Sequence, residues 1–503
     1  CSIFFWAVRE LFEKTGKPRN LTWITVGAQG SRGRAPGTIE EIGFPDLITT
    51  YISGHVETEK EQLKLAAQGH IELHTMPQGV QAFLLEAQGK GHDSVKTNVG
   101  VGTFLDPRVG TGTAVTPNAK NTYVKAAGDQ LEYTFPKVNV SISTAPYADR
   151  EGNIYFHNAA TITENIEGAQ AAQKNGGIVL VAVSEIIPKD PSRICIPAAM
   201  VTRVIVNPRN EQTAGVPQSR YWPMFTVGGN TDIQDSVEQL KFINTVMKIT
   251  PLRGPVENAL ARLAASLFTS EANKNDIINI GVGMPEEVCR LLYESGLYKE
   301  LTFTSETGVY GGLPTPGIFF GAAINPDRLD SSAQMFHLYE TELDVSVLGL
   351  LQVDSEGNVN VSKRGPKITD YVGPGGFPNI VEGARTIIFV GSWMAHAKFA
   401  INDGKLVCDK PGKHKFIEKV DEITFSGKEA LKKGKKVIYV TNVGVFRLTE
   451  KGLEIRRVMP GVDIQKDIID ASPCKFVLPE NEEVKVVEDK IVTGNGFILD
   501  WNL

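Results

Sequence analysis

The run LDVSVLGLLQVDSEGNVNVS, residues 343–362, decides the fold class. Its opening is almost continuously apolar instead of alternating, as expected of a strand covered on both faces. Similar runs recur as KTNVGVGTF (96–104), GGIVLVAV (176–183), DIINIGVG (276–283), RTIIFVG (385–391) and KKVIYVT (435–441). Helical patterns separate them, for example VENALARLAASLF at 256–268. That alternation predicts α/β architecture: open, mostly parallel sheets with helices on both faces.

The second part of the run, D-S-E-G-N, has an echo. Asp149, Glu151, Gly152 and Asn153 in YADREGNIYF precede Asp354, Glu356, Gly357 and Asn358 by 354 − 149 = 205 at all four positions. D-x-E-G-N is a favourable turn in its own right, but a constant offset suggests duplicated halves in one chain. Between 207 and 239 the pattern dissolves into Pro, Asn, Gly and Thr, read as a joining segment. An N-terminal domain over 1–240 and a C-terminal domain over 241–503 are therefore expected.

Bulk chemistry narrows the partners. With 52 basic and 58 acidic residues among 503, the formal charge is −6. There is no basic block, which argues against nucleic acid or an anionic membrane. No apolar run approaches the length of a membrane span. Five scattered cysteines, Cys1, Cys195, Cys289, Cys408 and Cys474, show no zinc spacing and fit a reducing, cytoplasmic setting. No metal is expected. FFWAVRELF (4–12) reads as the middle of an amphipathic helix stopped by Gly16 and Pro18, so upstream residues are expected.

Three glycine-rich loops of the second half could carry chemistry. NIGVGMPEEV (279–288) leaves a strand and enters a helix, SETGVYGGLPTPG (305–317) holds one acid, Glu306, and YVGPGGF (371–377) precedes another helix–strand unit. Ligands of open α/β sheets bind at the carboxyl ends of strands. Glycine there allows close backbone approach, and free N–H groups can stabilise an oxyanion or phosphate. GVGMPE lacks the third glycine of a dinucleotide fingerprint. No H-E-x-x-H, G-x-S-x-G or P-loop motif competes, and His337 reads as a packed or surface residue. Subtracting 205 from Glu306 lands on Val101, so the first half carries the corresponding loop without the acid. By itself, Glu306 fits a surface turn or helix start as well as catalysis, and Gln78 fits a turn residue.

At SETGVYGG the sequence resembles the family I coenzyme A transferases, above all the fused-chain acetate/propionate CoA-transferases, with succinyl-CoA:3-ketoacid CoA-transferase more distant. MPQGV (76–80), VGVGTFLDPR (99–108), NGGIVLVAV (175–183), INIGVGMP (278–285), FGAAIN (320–325), the 343–362 run, GPGGF (373–377), EITFSGKEAL (422–431) and PGVDIQKDIID (460–470) match family blocks in family order. The resemblance implies the CoA-transferase fold, and an N-terminal half serving the acyl and carboxylate side. It implies that Glu306 is a covalent nucleophile passing through an acyl-glutamyl anhydride to a glutamyl-CoA thioester. It further implies that Gln78, Gly375 and Gly376 contact the substrate or oxyanion, and that Gly281, Val282 and Gly283 lie beside bound CoA. Coenzyme A is then substrate and covalent intermediate. The partners are an acyl-CoA and a small carboxylic acid, and a homo-oligomer, dimer or tetramer, is expected.

Three departures stand out. The family's upstream glycine loop would precede Cys1. Glu340, Thr341 and Glu342 replace a triple glycine before L-D-V, and two acids near a carboxylate site repel substrate unless paired or turned away. Tyr310 replaces a small aliphatic, which bears on acyl specificity. An acyl-CoA hydrolase using the same glutamate, and a non-catalytic acyl-CoA binding protein, are the alternative readings.

Overall fold

The computed structural model describes residues 2–30, 37–210, 221–248 and 251–501. Cys1 and the stretch 211–220 of the expected joining segment lie outside the described residues. The opening helix, Ser2–Thr15, ends at Gly16, whose positive φ of 68° stops it. No helix among the described residues is long and apolar enough to cross a membrane.

Packing divides the chain into two units that do not follow chain order. The first takes 1–249, 304–338 and 364–379; the second takes 250–303, 339–363 and 380–503. The segments bearing Glu306, Gly375 and Gly376 thus pack with the N-terminal residues.

In the first unit, strands Leu21–Thr25, Ile48–Ser53 and Glu72–Thr75 form a parallel sheet in that order. Its core gathers Ile48, Tyr51, Leu63 and Leu73 on one side and Ile52, Met76, Val80 and Leu84 on the other. Alternate strand residues point to opposite faces, so neighbours such as Tyr51 and Ile52 serve different cores. A second sheet orders Arg203–Val206, Ile178–Ile186, Val140–Ala148 and Ile154–Tyr155, the first three parallel and the last antiparallel.

The second unit is built on four parallel strands, Ile277–Ile280, Val345–Gly349, Thr386–Val390 and Lys436–Val440. Antiparallel strands Gly444–Thr449 and Gly452–Val458 extend them. Helix Pro255–Glu271 packs on the 386–390 and 436–440 strands with Ala261, Ala264 and Phe268 fully buried.

The duplication is visible in register. Tyr147 pairs Tyr155 and Ala148 pairs Ile154; Gln352 pairs Asn360 and Val353 pairs Val359, each shifted by 205. Both turns are closed by their aspartate. Asp149 Oδ1 accepts from the backbone N–H of Glu151, Gly152 and Asn153, and Asp354 Oδ1 from those of Glu356 and Asn358. The asparagine carbonyls also repeat a role, accepting from Ala198 N and Gly427 N at 2.8 and 3.0 Å.

One helix, Ile233–Met247, was not expected. Asp232 caps it, accepting from Asp235 N at 2.8 Å. Its apolar face is thin: Leu240 is buried, but Phe242 and Val246 are exposed, so the sequence carries little periodic signal there.

Candidate active site

The site grows from the end of the Glu72–Thr75 strand. Met76 N donates to Ser53 O, continuing the sheet, and the chain turns through Pro77 into helix Gln78–Gly89. Pro77 has no N–H to lose at a helix start. Gln78 N donates to Gly375 O at 2.9 Å, Gly375 N donates to Gly54 O at 2.7 Å, and Val56 N donates to Val372 O at 2.9 Å. The 372–376 glycine loop is thereby laced to 54–56 and to the helix start.

The Glu306 turn is held from several sides. Ser305 N donates to Val309 O and Gly308 N to Ser305 O, both at 2.9 Å, and Thr304 pairs Tyr310 across the turn. Thr307 Oγ1 donates to Gly321 O at 2.5 Å, Asp330 N to Gly308 O at 2.8 Å and Thr163 N to Thr307 O at 3.2 Å. Gly308 has φ +100°, and a Cβ there would stand 1.9 Å from Asp330 O. Only glycine fits that corner.

These elements bring three of the expected residues together. A Cβ on Gly376 would lie 2.8 Å from Glu306 Oε2 and 3.1 Å from Gln78 Oε1. The missing side chain is therefore the space in which the carboxylate and the amide meet. Gly54 and Gly27 crowd Gln78 from behind: their Cβ positions fall 2.7 Å from its Cγ and 3.1 Å from its Nε2. Gln78 Oε1 is buried without a hydrogen-bond partner, a cost retained at sites where a ligand completes the bonding. Gly375 has φ +58°, and its Cβ position is 3.9 Å from the His55 ring.

Gly281, Val282 and Gly283 sit in the second unit, directly after strand Ile277–Ile280. Gly281 N donates to Val347 O at 2.8 Å, carrying the parallel ladder one residue further. Val282 is exposed, and Gly283 has φ +93° with open space where a Cβ would be. Arg253 fixes the loop, donating to Gly283 O and pairing Glu287 at 2.8 Å.

Sequence reasoning missed Asn379 and Gln81. Asn379 is buried with neither amide atom partnered, and a Cβ on Gly79 would lie 2.4 Å from its Nδ2. Gln81 Oε1 is also unpartnered, while its Nε2 donates to Met76 O. The available signal was positional: each lies three residues after a residue already singled out, Asn379 after Gly376 and Gln81 after Gln78. Glu340, Thr341 and Glu342 are exposed at the end of helix Ser332–Glu342. The Tyr310 ring lies under the Arg328 guanidinium, 3.5 Å from its centroid. His337 stacks on Phe83 at 4.2 Å and bonds Glu86 at 3.0 Å.

The chain is a twin-repeat α/β protein with a glutamate held in a glycine-lined turn, and comparison with known proteins gives its class. Residues 23–207 match the family model described as coenzyme A transferase. The caffeate CoA-transferase of Acetobacterium woodii is 35% identical over 92% of this chain and 87% of its own. The acetate CoA-transferase YdiF of Escherichia coli K12 is 32% identical over 98% and 90%. A crystal structure of acyl-CoA transferase YdiF from E. coli O157:H7, a thioester complex with CoA, superposes with TM-score 0.84 at 29% identity, covering 99% of this chain and 92% of that one. The chain belongs to the coenzyme A transferases, family I, and is a CoA-transferase enzyme of the fused-chain type.

Proposed function

We propose that the enzyme moves coenzyme A from a short-chain acyl-CoA to a free carboxylic acid by a ping-pong route through a glutamyl-CoA thioester on Glu306. The observation that carries this reading is the meeting of Glu306 Oε2 and Gln78 Oε1 over the bare Cα of Gly376. The thioester complex of the YdiF relative supports covalent chemistry on this fold.

A carboxylate is ionised at neutral pH but is a weak nucleophile, so orientation and oxyanion stabilisation must do the remaining work. In the first step a Glu306 oxygen bonds the acyl carbon, the carbon–sulphur bond breaks, and CoA leaves as thiolate. The thiolate then attacks the glutamyl carbonyl of the anhydride. The donor acid departs as carboxylate, and a thioester joins Glu306 to CoA. The acceptor carboxylate attacks that thioester and expels the thiolate. The thiolate then takes the new acyl group, and free Glu306 returns. Every intermediate is an activated acyl derivative, so atoms and charge balance without ATP. The N–H of Gly376 is a proposed oxyanion donor, with Gly375 shaping its loop; Gln78 joins it when its amide turns to bring Nε2, which faces the Gly27 side, to the place of Oε1 over Gly376. Gly281, Val282 and Gly283 are the proposed CoA contacts of the second unit. Binding energy from the remote nucleotide end of CoA can be used at the reacting end.

Initial-rate kinetics test the reading. Parallel double-reciprocal plots for acetyl-CoA against propionate are expected, with acetyl-CoA consumption requiring the acceptor acid and propionyl-CoA formed in equal amount, so that total thioester is conserved. Net loss of thioester to free CoA with no acceptor present, at the rate seen with it, would replace transfer by hydrolysis.

A further inference from the structure

Beneath the Glu306 turn lies a pair of carboxyl groups that the proposed chemistry does not use. Glu164 and Glu167 stand three residues apart at the start of helix Asn165–Lys174, on one face. Glu167 is buried; its Oε1 accepts from the Ser331 hydroxyl, and its Oε2 has no hydrogen-bond partner. Glu164 is half-buried directly after Thr163, where the nearby Ser332 hydroxyl favours its charged form. The same short strap, 330–332, holds the turn: Asp330 N donates to Gly308 O at 2.8 Å. The residue before Glu164 completes the frame. Thr163 N donates to Thr307 O at 3.2 Å, and Thr163 O accepts from Ser332 N at 2.9 Å. Thr163 does this at φ +54°, a strained setting for a β-branched residue that persists only where its surroundings impose it.

We propose that Glu164 and Glu167 are positioning residues for the nucleophile, a carboxyl brace that fixes the 330–332 strap and, through it and Thr163, the backbone on both sides of the 305–308 turn. The inference rests on the reading of Glu306 as nucleophile. A displacement of the turn by 1 Å would misalign the attacking oxygen, and such errors are costly when catalysis depends on orientation.

The brace is sensitive to charge. Burial pushes Glu164 up to about 7, and the neighbouring Glu167 pushes it further in the same direction. Burial also raises Glu167, against the Ser331 hydrogen bond. The charged groups around the pair are Glu86, tied to Lys90 and His337, and Asp330, tied to Arg328. No cation pairs directly with either carboxyl group in the hydrogen bonds described. Two like charges at one turn's spacing share a proton most readily, and removing it sets the buried Glu167 and the half-buried Glu164 against each other. The braced form therefore prevails below the raised value and weakens as pH rises through it.

The test is the pH profile of kcat for wild type, Glu164→Gln and Glu167→Gln, with KM measured alongside. Wild-type kcat is expected to fall about fivefold or more between pH 7 and 9 at nearly constant KM. Glu164→Gln, neutral at every pH, is expected to lose that fall. A merely structural role would lower thermal stability and leave the shape of the profile unchanged, and that result overturns the proposal. Should the variants fail to fold, amide exchange in wild type decides. After correction for base catalysis, protection of Gly308 N should drop between pH 6 and 9, and constant protection would refute the brace. Loss of activity in Glu306→Ala tests the nucleophile separately, because a brace failure leaves that result intact.

Discussion

The loop around Val101 lies 205 residues before the turn around Glu306, the offset that relates the two D-x-E-G-N hairpins, yet the two have different surroundings. Both depend on glycines in the left-handed region. A Cβ on Gly100 would meet the Tyr133 hydroxyl at 2.6 Å, as one on Gly308 would meet Asp330 O at 1.9 Å. Val101, however, packs against the cluster that contains Met76, Val80 and Val99. Glu306 instead meets the vacant side of Gly376 and the amide of Gln78. The difference lies in the neighbour: Glu306 faces a loop without side chains at Gly376, whereas Val101 faces an apolar core.

The sharpest break of this comparison is a pair of substitutions. Glu306→Ala is expected to reduce CoA transfer by about 10⁴-fold or more. Val101→Ala is expected to cost about 1 kcal/mol of stability, read in urea, with transfer retained. An active Glu306→Ala protein would erase the distinction between the loops.

Next in size is Gln78→Ala. If Gln78 is the proposed oxyanion donor, its removal should lower kcat by about 10²-fold with a smaller change in KM. A change confined to KM would make Gln78 a ground-state contact only.

The twin aspartates sharpen the comparison on the scaffold side. Although burial opposes it, Asp149 is held down to about 2 by donors including Asn153 Nδ2 and the Tyr155 hydroxyl, both at 2.7 Å from Oδ2. In the twin turn burial prevails and raises Asp354; Asn358 Nδ2 sits at 3.1 Å, and the Tyr439 hydroxyl donates instead to Gly357 O. The signs are opposite. Asp149 has a folded value below the unfolded one, so its stabilisation is present above the ordinary carboxylate range and is lost as pH falls towards 2. Asp354 has a raised folded value, so its contribution is present below that range and is lost as pH rises. Asp149→Asn should therefore cost about 1–2 kcal/mol at pH 7, and Asp354→Asn should be neutral or slightly stabilising there. Urea unfolding of both variants at pH 7 checks this; equal losses would contradict it.

The smallest effect is expected at Tyr310. Its ring is fixed under Arg328 beside the turn, so Tyr310→Val should shift the kcat/KM ratio of acetyl-CoA to a longer acyl-CoA by about threefold to tenfold. An unchanged ratio would separate this ring from acyl choice.

Much of this was legible before any coordinates. The strands at 178–186, 277–280, 345–349, 386–390 and 436–440 fall within or overlap the apolar runs, because burial on both faces leaves no alternation to obscure them. The 205-residue offset reappeared as an identical hairpin register. What sequence could not carry was the exchange of segments between units. Nothing local in 304–338 or 364–379 announces packing with the N-terminal residues. Asn379 was hidden for the same reason: its importance lies in burial against Gly79, three hundred residues away in the chain. The helix Ile233–Met247 escaped because an exposed Phe242 and Val246 blur its periodicity.

The most direct test is the mass of the protein after brief mixing with acetyl-CoA, followed by peptide mapping. The account predicts an increment equal to CoA less water on the peptide that carries Glu306, discharged when a carboxylic acid is added. An unmodified protein that still exchanges CoA at full rate, or the increment on any other peptide, would contradict it.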